Sequence, residues 1–254
     1  QQKRGRFIYR TPILCCNGPM KQKGGKNEGK TFWNKEYRQG EHLALSTRES
    51  EDLIKFTLWL KREYGGDFLN PSDSVLDLGC GNGRNLIYLA QTFGVHGVGY
   101  DISAEAIAQA KEQSGKLPIE YSVCSVTDPL PLPDESQTLV LDMMVSHFLS
   151  GEERAHLRSE IARVLKPGGW LFLKTFLLDE DRHAERFLRE HPGKEAGSYI
   201  HPVFGVTEHV FTEKELAEML GSLFTVHKKV RSHRHLKDGR AFKRRSISIY
   251  AQKK

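Results

Sequence analysis

Val75-Leu76-Asp77-Leu78-Gly79-Cys80-Gly81-Asn82-Gly83 decides the fold: an apolar run breaks into a loop with glycine at every second position. A strand this apolar is expected to be buried on both faces, as in a parallel sheet. Three glycines in five residues then let the backbone turn tightly and approach a ligand with no Cβ in the way. Arg84-Asn85-Leu86-Ile87-Tyr88-Leu89-Ala90 continues with helical spacing, giving strand, loop and helix. The N-terminus of such a helix offers free N–H groups to polar ligand atoms.

The glycine spacing discriminates between ligands. The dinucleotide pattern G-x-G-x-x-G would need glycine at position 84, where Arg84 stands, so a pyrophosphate-binding dehydrogenase is disfavoured. No Gly-Lys-Ser/Thr follows the glycines, which removes the P-loop and phosphoryl transfer with it. Val95-His96-Gly97-Val98-Gly99-Tyr100 reads as a second strand ending at Asp101, 18 residues after Gly83. A carboxylate there can accept hydrogen bonds from ribose hydroxyls.

Outward from this unit, strands and helices alternate. The spacing predicts a helix from about Ser50 to Tyr64, a helix over 84–93, a strand over 95–100, a helix over 103–114, and strands over 119–123 and 138–143. A helix over 152–165, a strand over 170–176 and a helix over 212–220 follow, then strands from Leu223 and over Ser246 to Tyr250, an antiparallel pair joined around Asp238-Gly239. This is an α/β pattern: a mostly parallel sheet with helices on both faces and an antiparallel final strand. Positions 179–212 are irregular and rich in His, Pro and Gly, and are expected to form an insertion over the site rather than core. The expected domains are a basic, disordered tail over 1–31 and a single unit over 32–254.

Composition narrows the class. At 254 residues the chain suits one domain with a substantial core. No apolar run reaches the roughly 18 residues that cross a bilayer, and no signal-peptide core opens the chain, so a soluble cytoplasmic protein is expected. Cys15, Cys16, Cys80 and Cys124 form no C-x-x-C pair, consistent with free thiols in a reducing compartment. The net charge of +6 is unevenly spread, with +7 over residues 1–31, +10 over 227–254 and −11 between them. The first residue is Gln1, and Met20 is a candidate start of native translation. His233 and His235 alternate on a strand, but no third ligand is placed beside them, so no metal site is expected.

The D-L-G-C-G-N-G loop, the Gly99-Tyr100-Asp101-Ile102 strand end and Arg163-Val164-Leu165-Lys166-Pro167-Gly168-Gly169 together resemble the class I S-adenosylmethionine (SAM)-dependent methyltransferases over about residues 32–252. The resemblance implies a Rossmann-like seven-stranded sheet and SAM as cofactor. It implies that Gly79, Cys80, Gly81 and Gly83 approach the amino-acid end of the cofactor, with Asp77 beneath them near its ammonium. Asp101 then takes the ribose, and Ile102 packs on the adenine. Where many relatives carry an adenine-binding acid this chain has Ser125, with Val126 beside it, and Gln137-Thr138 replaces the usual Phe-Asp. Trp33 and Tyr37 resemble an aromatic pair that closes over the cofactor, and serve equally well as a core anchor.

Methyl transfer from a sulfonium needs alignment and desolvation, and a base only where the acceptor must lose a proton. The strand-end positions Asp142, Met143 and Met144, followed by Ser146 and His147, face the reacting methyl in this pattern. His147 is the candidate base because imidazole titrates near neutrality, with Asp142 beside it. Tyr199, His201, Glu208 and His209 are candidates for the acceptor pocket. A small-molecule acceptor is expected because the body is acidic. Two alternatives stay open: RNA or protein methylation, using Arg231, Arg234, Lys237, Arg240, Lys243, Arg244 and Arg245 as a phosphate-binding rim, and a SAM-binding regulatory subunit without catalysis.

Overall fold

A computed structural model describes residues 25–40, 43, 45–232, 236–237, 240–241 and 244–254. Its centre is β1 (Ser74–Leu78), buried from Val75 onward as its apolar composition requires. Before it come α1 (Gly25–Gln39) and α2 (Glu51–Tyr64); after it α3 (Arg84–Phe93), β2 (His96–Asp101), α4 (Ala104–Ser114), β3 (Ile119–Val123) and β4 (Gln137–Met143). A 3-10 turn, Ser146–Phe148, leads into α5 (Gly151–Val164) and β5 (Leu165–Phe176). Then follow α6 (Arg182–Glu190), β6 (Ser198–Ile200), β7 (Thr207–His209), α7 (Glu213–Gly221) and β8 (Phe224–Arg231). The short β9 (Leu236–Lys237) and β10 (Arg240–Ala241) precede β11 (Ser246–Lys253).

The seven-stranded sheet has the order β3-β2-β1-β4-β5-β11-β8. β1 runs parallel to β2 and β4, and the pairs β2–β3 and β4–β5 are parallel as well. β11 alone is reversed, antiparallel to both β5 and β8. Strand order turns back between β1 and β4, which opens a crevice at the C-terminal ends of those strands.

Alternation along each strand feeds two cores. Leu76 and Leu78 of β1 pack with Val140, Leu171, Leu173, Ile247 and Ile249 against Leu157 and Ile161 of α5 and Leu216 and Leu220 of α7. Val75 points the other way, with Leu139, Leu141, Phe172 and Tyr250, onto Leu53, Phe56 and Leu60 of α2 and Leu86 and Leu89 of α3. Each fully buried Leu or Phe contributes about 1.5–3 kcal/mol relative to exposure. Local signals start the helices: Ser103 accepts from Ala106 N at 3.2 Å, Thr212 accepts from Glu215 N at 3.1 Å, and Ser150 with Glu153 forms a capping box.

Three expectations need correction. β5 begins at Leu165 rather than 170, because Lys166-Pro167-Gly168-Gly169 continues the strand through a register shift opposite Gln137 and Leu139. Positions 179–212 are not irregular throughout. Asp181 caps α6 by accepting from His183 N and Ala184 N, and β6 pairs with β7. Order also starts before Phe32, since α1 begins at Gly25. Most of the basic tail, Cys15, Cys16 and Met20, and likewise His233, His235 and positions 238–239, lie outside the described residues; β9 and β10 pair antiparallel. Among the described residues no helix is long and apolar enough to cross a membrane, and no cluster of potential metal ligands occurs.

Candidate functional site

At the end of β1 the chain turns through Gly79 (φ 63°) and Gly81 (φ 56°), backbone states that a Cβ would strain. Space forbids side chains there too: a Cβ on Gly79 would run into Val145 Cγ2, and one on Gly81 into Tyr37 Oη. Cys80 N donates to Tyr100 O at 3.0 Å, which pins the loop to β2. The Cys80 thiol is buried, and desolvation together with Asp77 and Asp101 pushes it far above the usual thiol range. Buried and held in the thiol form, it fills space behind the loop.

Asp77 lies beneath this loop, 1 % exposed, with Oδ2 buried and unpartnered. Burial pushes its carboxyl up to about 8; Arg84 opposes the shift, and Asp101 and Asp142 add to it. Asp101, at the end of β2, accepts from Gly81 N at 2.9 Å and Ser103 N at 2.8 Å. Desolvation raises its pKa while those amides pull it down. Asp142 stands opposite Leu78 in the sheet register and accepts from Ser146 N at 3.2 Å and from Ser146 Oγ. Its pKa is also raised by burial, against those hydrogen bonds. Three carboxylates thus converge on the crevice at the strand-order reversal.

The wall opposite β1 is the turn after β4. Met144 has φ 67°, uncommon for a residue with a side chain, and its N–H is tied to Lys174 O at 2.8 Å. His147 follows, 2 % exposed, its ring 4.0 Å from that of Phe148. Desolvation first, then the charges of Arg244 and His209, hold its pKa down to about 3. The imidazole is therefore neutral across the physiological range.

α1 covers the loop. Asn34 Oδ1 accepts from Ser103 Oγ at 2.9 Å, and Gln109 Nε2 donates to Tyr37 O at 2.7 Å, so α1 is docked on α4. Tyr37 faces Gly81, and Trp33 meets Phe148 edge to face at 5.4 Å. Both aromatics of the pair thus sit at the crevice rather than in a remote core.

The structure brings Asp77, Gly79, Cys80, Gly81, Gly83, Asp101, Asp142, Tyr37, Trp33 and His147 together. The third strand contributes less. Ile102 is half-buried, Val126 packs into the α5-side core, and Ser125 Oγ is engaged at 2.8 Å with Thr127 Oγ1. The insertion's residues are largely spoken for. Tyr199 is fully buried and donates to Glu208 Oε2; His209 Nε2 donates to Glu215 Oε1 at 2.7 Å; and His201 stacks on Phe204 at 3.8 Å. The rim of seven basic residues is reduced as well. Arg244 pairs with Asp181 at 3.1 Å, Arg245 with Glu180 at 3.4 Å, and Arg231 with Glu213; the side chains of Arg234, Lys237, Arg240 and Lys243 lie outside the described residues. Phe148 and Phe176 were not singled out in the sequence, and Arg244 was read there only as one member of a phosphate-binding rim. Arg244 is 63 positions from Asp181, and only the fold of β11 against the insertion joins them.

A family model described as "Methyltransferase domain" matches residues 76–173, from β1 to β5 across the whole crevice. The chain is 28% identical over 151 residues to the fatty-acid O-methyltransferase of Mycolicibacterium smegmatis, covering 59% of this chain and 54% of that protein. It is 34% identical over 141 residues to the 27-O-demethylrifamycin SV methyltransferase of Amycolatopsis mediterranei, covering 54% and 51%. It thus spans about half the length of these curated relatives. A solved SAM-dependent methyltransferase from Methanosarcina mazei superposes with a TM-score of 0.61 at 29% identity, covering 74% of this chain and 95% of that one. In its glycine loop, its two strand-end carboxylates and its sheet order, the chain is similar to the class I SAM-dependent methyltransferases across the matched residues 76–173.

Proposed function

We propose that the protein transfers a methyl group from SAM to a small-molecule acceptor. One observation carries the cofactor assignment: the buried, unpartnered Oδ2 of Asp77 at the foot of the glycine loop. A desolvated carboxylate without a counter-charge is unfavourable, and an ammonium supplies a charge-assisted hydrogen bond to it. The amino-acid end of SAM carries such an ammonium.

In this reading the backbone at Gly79, Cys80, Gly81 and Gly83 meets the same end of the cofactor. Asp101 keeps lone pairs beyond those used by Gly81 and Ser103, and takes the ribose hydroxyls. Ile102 is the adenine-side contact, with Ser125 and Val126 contributing through their backbone, since their side chains are engaged elsewhere. Trp33 and Tyr37 close the crevice and exclude water. Bound there, SAM supplies an electrophilic methyl on a sulfonium.

The chain's own contribution is alignment. Asp142 holds Ser146 and so fixes the turn that presents Met144 and His147. Being neutral, His147 is ready to accept a proton from an oxygen acceptor, although its low basicity makes it a transient holder.

The small-molecule assignment draws on the acidic middle of the chain and on the two bacterial relatives, whose names specify a fatty acid and a rifamycin. Free thiols at Cys80 and Cys124 suit the cytoplasm, where we place it. Incubation with methyl-labelled SAM and fractionated cell extract tests the proposal. Label in small metabolites is expected; label in RNA or protein would replace the acceptor class, and failure to bind SAM would overturn the reading.

A further inference from the structure

Two buried polar atoms without partners lie around one aromatic ring. The guanidinium carbon of Arg244 is 4.2 Å from the centre of the Phe176 ring. The His147 ring centre is 4.9 Å from the same ring, edge on. Arg244 is clamped elsewhere: Nε donates to Asp181 Oδ2 at 3.1 Å, and Nη1 donates to Tyr199 Oη and, at 3.4 Å, to Glu208 Oε2. Nη2 is buried and donates to nothing, and His147 Nδ1 is equally buried and unpartnered.

These features have a joint meaning. A guanidinium held by two carboxylates and a phenol is fixed in direction, so its remaining N–H groups are aimed rather than roaming. Buried donors are almost always satisfied, and an exception calls for an occupant. His147 is neutral beside this cation, with one N–H and one lone pair, and adjusts its tautomer to what it meets. The place adjoins the cofactor crevice: Val145, two residues before His147, packs on Gly79, and Trp33 meets Phe148 next to it. An acidic oxygen accepts what Arg244 offers, and planar π-systems suit the rings of Trp33, Phe148 and Phe176.

We propose that His147 and Arg244 form an acceptor subsite for an acidic oxygen group, a carboxylate or a phenol, carried on a planar unsaturated molecule. The proposal rests on the methyltransferase reading and adds the chemistry of the acceptor. It concerns which group is held, whichever atom of the acceptor receives the methyl.

The test uses the full chain saturated with S-adenosylhomocysteine, whose own binding is measured first by calorimetry. Benzoate, phenol and uncharged benzamide are then titrated while the side-chain nitrogens of His147 are followed by NMR. Benzoate or phenol, whichever source of the acidic oxygen the site takes, is expected to shift the His147 resonances and to bind about tenfold more tightly than benzamide. Arg244→Met and the gentler Arg244→Lys should each abolish that preference while leaving S-adenosylhomocysteine affinity unchanged, which shows that the variants are folded. If S-adenosylhomocysteine binds but neither acidic probe exceeds benzamide, or if the preference survives in Arg244→Lys, the subsite is overturned and the methyltransferase reading stands. If S-adenosylhomocysteine itself fails to bind, both fall together.

Discussion

Asp77 couples the crevice to pH. Its folded pKa of about 8 lies above the ordinary carboxylate value of 3.8, so between those values the folded state holds a proton that the unfolded state has lost. Stability of the ligand-free protein therefore falls as pH rises from about 4 to 8 and levels off above, by at most about 1.4 kcal/mol per unit for this group. Asp101 and Asp142 are shifted in the same direction and act with the same sign. Thermal melts across pH 5 to 8 should show this decline, and Asp77→Asn should flatten it. The same variant should lose SAM binding in calorimetry, because its amide keeps the shape but not the charge; retained affinity would dismiss Asp77 as the ammonium partner. His147→Ala is expected to slow methyl transfer at least about tenfold with SAM affinity unchanged. With its pKa near 3, the rate–pH profile of the unmodified enzyme should carry no imidazole inflection between pH 5 and 8. Legibility at this scale followed covalent neighbourhood: Asp77, Gly79, Gly81 and Asp101 announce themselves through adjacent residues. Arg244 was legible only as one cation of a phosphate-binding rim, because its partners Asp181, Tyr199 and Glu208 are remote in sequence.

Among elements, α1 is the one whose attachment is most local. It holds to α4 through Asn34–Ser103, Gln109–Tyr37 and the Arg38–Glu105 pair at 2.6 Å, and it reaches the insertion by Phe32 against Phe204 at 5.7 Å. Replacing Asn34 by Ala should cost about 1 kcal/mol of docking and little of the global fold. Limited proteolysis should then cleave within α1 faster while the melting temperature changes by only a few degrees; protection equal to the parent chain would mean that the Gln109–Tyr37 and Arg38–Glu105 contacts and the aromatic packing suffice. Helices α2 to α5 were readable because each carries an apolar face and a clear stop such as Gly65, Gly94 or Gly115. α6 was not, since Ala184 is its one buried residue and its start depends on the Asp181 cap. The departure at Thr138 also finds its reason here. Thr138 Oγ1 donates to Asp73 Oδ1 at 2.6 Å and accepts from Lys166 Nζ at 3.0 Å, a polar lock at the end of the sheet far from the cofactor crevice.

At the scale of the whole molecule the sheet order is the organising fact, and alternating strands and helices made it legible, together with the family resemblance. What the pattern of strands alone did not reveal was that the last strand lies inside the sheet, flanked by β5 and β8. Ser248 is 4 % exposed and paired in register with Lys174 on one side and Val230 on the other. Ser248→Pro removes a ladder hydrogen bond from an interior strand, at a cost of about 3 kcal/mol or more. Chemical denaturation should record a loss of that size; a smaller one would mean that the β8 side of the sheet is dispensable. The position of β11 also sets a schedule for biosynthesis. Until β11 emerges from the ribosome, β5 and β8 stand with a strand-wide gap between them, and each shows an open edge to other nascent chains. The sheet cannot seal until β11 has been made, so its greatest exposure to chaperones and to self-association falls in the interval between the emergence of β8 and the docking of β11.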